Sequence, residues 1–399
     1  MRYDYLLVGG GLQSGLLALA LCHHRPGATI AIVERGDALG GNHTWSHHAS
    51  DIPDAARAWF EPLVQWRWAG YDVVFPGFRR TIDHAYAAFS SAQLDAVVQA
   101  AISRAPGCRI FWGADAVRVE PAAVTLRGGT RLEALLVIDA RGPEHTQVTG
   151  RTGYQKFLGL EVVLRRPHEL ARPVLMDATV PQIDGYRFVY ALPLAADRVL
   201  IEETYFSDDA RIDPEALRAR VGSWAEHHGL DIIEVVREER GVLPMPCVAM
   251  PASMAAPLRA GYAGGWINPA TGYSLPMAVR LAQAIAEPTA SLETLARLAS
   301  ERDRQASFLV LLNRLLFEAT APSARRNVLE RFYRLPAGCI ARLYAMQLTA
   351  FDQLRILAGR PPRGASLARV ASTLGRGLWP AIAPSLKYGL RHLVGNRAS

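Results

Sequence analysis

Apolar positions change spacing along the chain, and the changes outline its elements. Tyr3 to Val8 is a short apolar run, Gly9-Gly10-Gly11 a turn, and Leu12 to His24 carries apolar residues at Leu16, Leu19 and Ala20, one helical face. Ala28 to Glu34 (ATIAIVE) is a second apolar run that ends in an acid, so the opening predicts strand, glycine loop, helix, strand. SSAQLDAVVQAAI places Leu94, Val97, Val98, Ala101 and Ile102 on one helix face, with Ser90 or Ser91 as cap. VRVEPAAVTLRGGTRLEALLVIDARG predicts strands broken at Pro121 and at a Gly128-Gly129 turn. From about 150 to 245 the texture becomes strands interleaved with Gly and Pro turns, and after Asn268 it is mostly helical. The expected architecture is α/β: residues 1–150 and 246–290 form one domain, 151–245 a β-sheet part inserted in it, and 291–399 a helical C-terminal region.

Within the inserted part, VLIEETYF (199–206) sets two carboxylates side by side. Strand alternation puts Glu202 with Leu200, Thr204 and Phe206, and Glu203 with Val199, Ile201 and Tyr205. Neither face is polar, and an unpaired buried carboxylate is costly. A carboxylate satisfied by an arginine such as Arg187 is the structural alternative to a chemical role, and alternation alone does not say which glutamate does which.

The loop Gly9-Gly10-Gly11-Leu12-Gln13-Ser14-Gly15 follows a strand and opens a helix, as in a dinucleotide fingerprint. Gly9 suits the tight turn and Gly11 the approach of a pyrophosphate; Ser14 stands where a third glycine is expected. Glu34, ending the next strand, is placed to accept from ribose hydroxyls. Later come Arg35, the pair Gly40-Gly41, VIDARG with Asp139, and GYAGGWINPATGYSLPMAVRLA. A late Gly/Pro-rich loop running into a helix resembles the FAD enzymes of the glutathione-reductase and hydroxylase type, whose Rossmann-like domain presents a helix N-terminus to the flavin. On that resemblance the cofactor-binding candidates are Gly9, Gly11, Ser14, Glu34, Arg35, Gly41, Asp139, Gly265, Pro269, Gly272, Tyr273 and Ser274. There is no second GxGxxG for a separate NAD(P) domain. Gly264-Gly265 stands where many such hydroxylases carry Gly-Asp, which argues against an ordinary monooxygenase.

With GGNHTWSHH, GYRFVYALP, LIEETYF and NPATGYSLP in this order, the chain resembles the bacterial lycopene cyclases over at least residues 3–285. The resemblance implies reduced FAD, with NADPH or NADH as reductant, and a membrane-dissolved carotenoid, lycopene. It also implies redox-neutral closure of both linear ends to β-ionone rings, through γ-carotene to β-carotene. By the motif match the essential acid is Glu202. The chemistry independently asks for a carboxyl that stays protonated near neutral pH and for negative charge or aromatic faces beside a carbocation. Tyr186, Phe188 and Tyr190 alternate along one strand and either line the pocket or fill the core. His43 and Trp45 are pocket candidates with packing as the alternative, and Asp177 is either a polar partner or a turn former. His43, His47 and His48 lack acids or cysteines at ligand spacing, so no metal is expected.

Half the residues are apolar and a fifth charged, which describes a globular chain. The four cysteines are scattered, without CxxC, and fit a reducing compartment. The net charge of +7 is concentrated at the end: residues 351–399 hold eight Arg or Lys and one acid. That segment suggests an anionic membrane surface rather than nucleic acid, for which there is no motif. No apolar run reaches the ~18 residues of a spanning helix. The expected setting is cytoplasmic, peripheral to the inner membrane, where other carotenoid enzymes are possible partners. A flavin-dependent monooxygenase or reductase acting on another isoprenoid or polyketide is the competing function, and a non-catalytic carotenoid carrier a third.

Overall fold

The computed structural model describes residues 2–142, 150–252, 254–358, 366 and 368–375. Its first sheet is parallel at the centre, with Arg2–Val8 between Ile30–Val33 and Arg131–Asp139, Arg109–Phe111 outside Ile30–Val33, and Leu258–Arg259 beside Arg131–Asp139. Residues 28, 29 and 34, expected in the second strand, fall outside it. The glycine loop turns directly into the helix Leu12–His24, as the pattern predicts. That helix is buried on all sides from Leu12 to Leu21, not along one stripe, because the helices Ser91–Arg104 and Leu275–Ala286 pack against it. Ser90 is the cap of Ser91–Arg104, its hydroxyl accepting from Gln93 N. The strands Ala116–Glu120 and Ala123–Leu126 extend the sheet antiparallel and enclose a core with Leu6, Val8 and Val137.

The second sheet has seven strands in the order Ile232–Pro246, Thr152–Leu164, Arg198–Ser207, Tyr186–Ala195, Val174–Asp177, Tyr71–Phe75 and Phe78–Ile82. The last two come from the N-terminal part, so this sheet is not confined to the expected 151–245 segment. Tyr71, Val73 and Phe75 alternate inward and join the aromatic core of Tyr186, Phe188 and Phe206, which is the apolar gain that recruits the hairpin. Thr44–His48, Tyr86–Ser90 and Trp66–Trp68 make a small third sheet.

The two faces of the second sheet differ. One packs on the helix Pro214–His227 through Leu158, Val189, Ile201 and Tyr205. The other carries the aromatic core and is covered by C-terminal helices, which Arg325, fully buried, ties down through Phe206 O (3.2 Å) and Asp208 (2.8 Å). Of the cations in the basic 351–399 segment, Arg355 and Arg369 are described; Arg360, Arg363, Arg376, Lys387, Arg391 and Arg397 lie outside the described residues.

Candidate active site

Antiparallel register lines up Glu239, Gly159, Glu202 and Tyr190 in one row across four adjacent strands. The next row is Gly241, Phe157, Thr204 and Phe188. Glu202 is half-buried on this face, and the Thr204 hydroxyl donates to its Oε1 at 2.6 Å. Burial, and then the nearby Glu239 charge, push the Glu202 carboxyl up to about 8, against the pull of Thr204. A carboxyl poised there holds a proton at neutral pH and can give it up.

Glu203, one residue on, is wholly buried on the opposite face. Arg187 grips it with Nε and with Nη2 (3.1 Å), and Tyr205 Oη donates to it at 2.6 Å. Arg187, the arginine named as the structural partner of one of the two carboxylates, therefore belongs to Glu203. Glu239 is buried as well, held by Arg237 Nη1 at 2.7 Å and by Thr44. Arg237 also reaches Glu161 (2.9 Å), Asn42 (3.1 Å) and Thr44 Oγ1 (2.5 Å), fastening the 42–44 loop to the sheet.

The pocket candidates separate. Tyr190 is half-buried beside Glu202, its hydroxyl 2.7 Å from Ser46 Oγ, which is in turn 2.7 Å from Tyr86 Oη. Phe188 flanks Thr204 but is buried, and Tyr186 stacks on it at 5.2 Å with its hydroxyl turned to Met176 Sδ. Asp177 requires a correction. Its register partner Val189 is paired with Glu203, so it sits on the far face. There it accepts from Thr179 N (3.0 Å) and Trp224 Nε1 (2.8 Å), a turn former rather than a pocket group. His43 is exposed on the loop near Arg237; partial desolvation of its ring, then that charge, lower its pKa. Trp45 packs between His43 and Phe89, ring centres 5.9 and 5.4 Å away.

The cofactor candidates largely converge. Gly9 has φ +88°, and a Cβ there would lie 3.1 Å from Arg141 Cα. Above Gly11 there is open space: an added Cβ would meet nothing within 4 Å. The helix behind it starts with no side-chain cap and no acid in its first turn, and the Ser14 hydroxyl, 1% exposed, has no hydrogen-bond partner. An open helix N-terminus with an orphaned hydroxyl fits a diphosphate. Glu34 accepts from Gly10 N (2.6 Å) and Gly36 N (2.7 Å), closing the loop on the strand end, with exposed Arg35 following. Gly40 N donates to Gly10 O, placing Gly41 alongside. Asp139 is clamped by Arg141 (2.8 Å), which outweighs burial and leaves its carboxyl below the usual value.

The late loop runs against the second sheet. Gly272, φ +65°, lies so close that a Cβ would be 2.9 Å from Leu243, and Tyr273 Oη donates to Asp51 at 2.9 Å. Asn313 fixes Pro269 O at 2.7 Å, and Ser274 begins the helix Leu275–Ala286 without a side-chain cap. Gly265, in contrast, faces Pro251 and Arg302 and shapes a turn (φ +76°). Gly265 is also where Gly-Asp would place its acid, and a Cβ there would lie 3.1 Å from Pro251 O at a positive φ that side chains rarely adopt.

Sequence reasoning set Thr204 on the face of Glu202 but did not find Glu239, Gly159 or the Ser46–Tyr86 pair. The available signal was Gly159, a glycine inside an apolar strand, which marks close approach of neighbouring groups.

Residues 4–370 match the family described as "Lycopene cyclase protein". The chain is 42% identical over 368 residues to a lycopene beta-cyclase of Pseudescherichia vulneris, covering 90% of this chain and 94% of that one. It is 40% identical over 374 residues to a lycopene beta-cyclase of Paracoccus sp. (strain N81106 / MBIC 01143), covering 91% and 95%. Among solved structures it resembles pqsL, a probable FAD-dependent monooxygenase from Pseudomonas aeruginosa, with a TM-score of 0.59 at 18% identity over 82% of this chain and 98% of that one. That last likeness is one of fold. The sequence matches, spanning nearly the whole chain, place it in the lycopene cyclase family.

Proposed function

We propose that this chain closes the linear ends of lycopene into β-ionone rings, an isomerisation without net oxidation, and that Glu202 is the acid. The observation that carries the reading is Glu202 itself: a carboxyl pushed up to about 8 on the face that also carries the aromatic core. Its proton adds to the terminal double bond and leaves a tertiary cation; the neighbouring double bond attacks, closing the ring. The Glu202 carboxylate then takes a proton from the adjacent ring carbon, which forms the ring double bond and restores the acid. Repeating this at the other end gives γ-carotene and then β-carotene. Tyr190 and the rings beside it offer aromatic faces to the cation and keep water out.

Gly9, Gly11 and Ser14 would hold the diphosphate of FAD, Glu34 its ribose, and the Pro269–Ser274 loop its ring end. When bound in its reduced form, FAD supplies negative charge beside the cation and is not consumed, NADPH or NADH having reduced it beforehand. The competing monooxygenase or reductase consumes reductant at every turnover. Lycopene incubated with the FAD-loaded protein, limiting NADPH and no oxygen is expected to yield product of unchanged mass, with more turnovers than NADPH. An oxygen requirement or a mass shift overturns the proposal, and unaltered lycopene points to a carrier.

We further propose that the protein works at a membrane surface. Among the described residues no helix is long and apolar enough to cross a bilayer. Phe351 (63% exposed) and Leu354 (56%) project from the helix Ala350–Leu357, which Asp352 anchors to Arg342 at 2.7 Å. The basic run follows it. Deleting 359–399 is expected to weaken binding to anionic vesicles, most of all at low salt; unchanged sedimentation with the vesicles overturns this.

A further inference from the structure

We propose that Glu239 is a positioning residue for the acid: an ionised carboxylate, set across Gly159 from Glu202, whose like charge holds the proton on Glu202. The inference deepens the cyclase reading and rests on it. Gly159 lies between the two glutamates on the middle strand, and a Cβ built on it would be 3.2 Å from Glu239 Cγ and 3.5 Å from Glu202 Cβ. Any other residue would put a side chain between the carboxyls. Glycine keeps the gap between the two side chains open.

The surroundings decide which of the two carries the proton. Burial raises the Glu239 carboxyl too, but Arg237 at 2.7 Å and Thr44 oppose it as donors to the anion. Glu202 has, among the described residues, no ion pair and a single hydrogen-bond donor, Thr204. Charge counting agrees. Glu161 and Glu239 are balanced by Arg237 and by Arg198, which meets Glu161 at 2.5 Å. The set is neutral with Glu202 protonated, and ionising it would add an unbalanced negative charge to a buried face. Tyr190, Tyr86, Tyr273 and His43 also lie near this row, and none supplies a cation at neutral pH: the phenols are pushed up, and partial desolvation followed by the Arg237 charge lowers the His43 pKa.

The test compares full-length, FAD-loaded wild type, Glu239→Gln and Glu239→Asp on lycopene in phosphatidylcholine vesicles across pH. In Glu239→Gln the alkaline limb is expected to move down by about one to two pH units, the size of a like-charge interaction at this spacing. Turnover then falls about tenfold near the alkaline limb and not in acid, while bound FAD is unchanged; Glu239→Asp restores the profile. A second readout needs no turnover: the infrared titration of carboxyl-labelled glutamate, with Glu202 identified by its loss in Glu202→Gln. An unmoved Glu202 titration in Glu239→Gln overturns the proposal whatever the turnover. A moved titration in a protein that does not cyclise lycopene upholds the pair and removes the cyclase reading. If Glu239→Gln fails to fold, the labelled titration is read in wild type and in Glu202→Gln: Glu239 is expected to be ionised already, and alike in both, where Glu202 still holds its proton, and a Glu239 that titrates with or above Glu202 overturns the proposal.

Discussion

The strand Arg198–Ser207 presents two glutamates to two different environments. On one face Glu203 has a guanidinium, a phenol and no exposure; on the other Glu202 has a threonine hydroxyl, a facing carboxylate and partial exposure. Both sit in apolar surroundings on consecutive residues of one strand. What differs is the partner each face supplies, and partners decide whether a buried carboxylate is a fixed charge or a proton donor. The cation is spent on the residue that holds the sheet together, and the chemistry is left to the residue without one.

Glu202→Gln tests the contrast hardest. Turnover is expected to fall by about 10²–10⁴, the usual contribution of a positioned general acid, while FAD is retained. Glu203→Gln should do the opposite. It leaves Arg187 buried without its anion, which costs on the order of 3–5 kcal/mol of stability, measured as a fall in denaturant midpoint. Activity per folded molecule should stay within severalfold of wild type. A fully stable, inactive Glu203→Gln would mean the roles are exchanged.

Stability and pH connect the two further. Glu202 has a folded-state value near 8 against 4.5 when unperturbed, so between these the native protein keeps a proton that the unfolded chain has lost. Raising the pH through that window therefore removes stability. Glu202→Gln removes the penalty and is expected to be more stable than wild type by about 1–3 kcal/mol near the top of the window, and alike below its bottom. Parallel stability curves across pH would show that Glu202 is not the group held protonated.

Local order was legible in the sequence wherever one segment sufficed. The glycine loop, the helix Leu12–His24, the Ser90 cap and the alternation at 199–206 each depend on neighbours in the chain. The pairing of distant strands did not show. Glu239 reaches Glu202 only through the register of Thr152–Leu164 with both its neighbours, and Tyr71–Phe75 joins the second sheet from a segment about a hundred residues before its partner Val174–Asp177. A register shift of one residue would have put Asp177 on the pocket face, which is why its side was not readable from its own surroundings. The family motif pointed to Glu202 without requiring any of this, but the reason that residue keeps its proton lies in the cross-strand row.

The smallest perturbations compare the two hydroxyls. Each glutamate accepts from the side chain two residues on: Glu202 from Thr204 and Glu203 from Tyr205, both at 2.6 Å. Thr204→Val keeps the shape but removes a donor that favours the Glu202 anion. Glu202 should then hold its proton to higher pH, moving the alkaline limb of activity up by about half a pH unit to one unit, opposite in sign to Glu239→Gln. Tyr205→Phe removes a donor from an anion already gripped by Arg187, so the charge state of that face does not change. Its expected effect is a loss of about 1 kcal/mol in stability, with the pH profile of turnover unmoved. If Tyr205→Phe shifted the profile as much as Thr204→Val does, the two faces would be electrostatically coupled through the strand, and the division of labour between the glutamates would have to be given up.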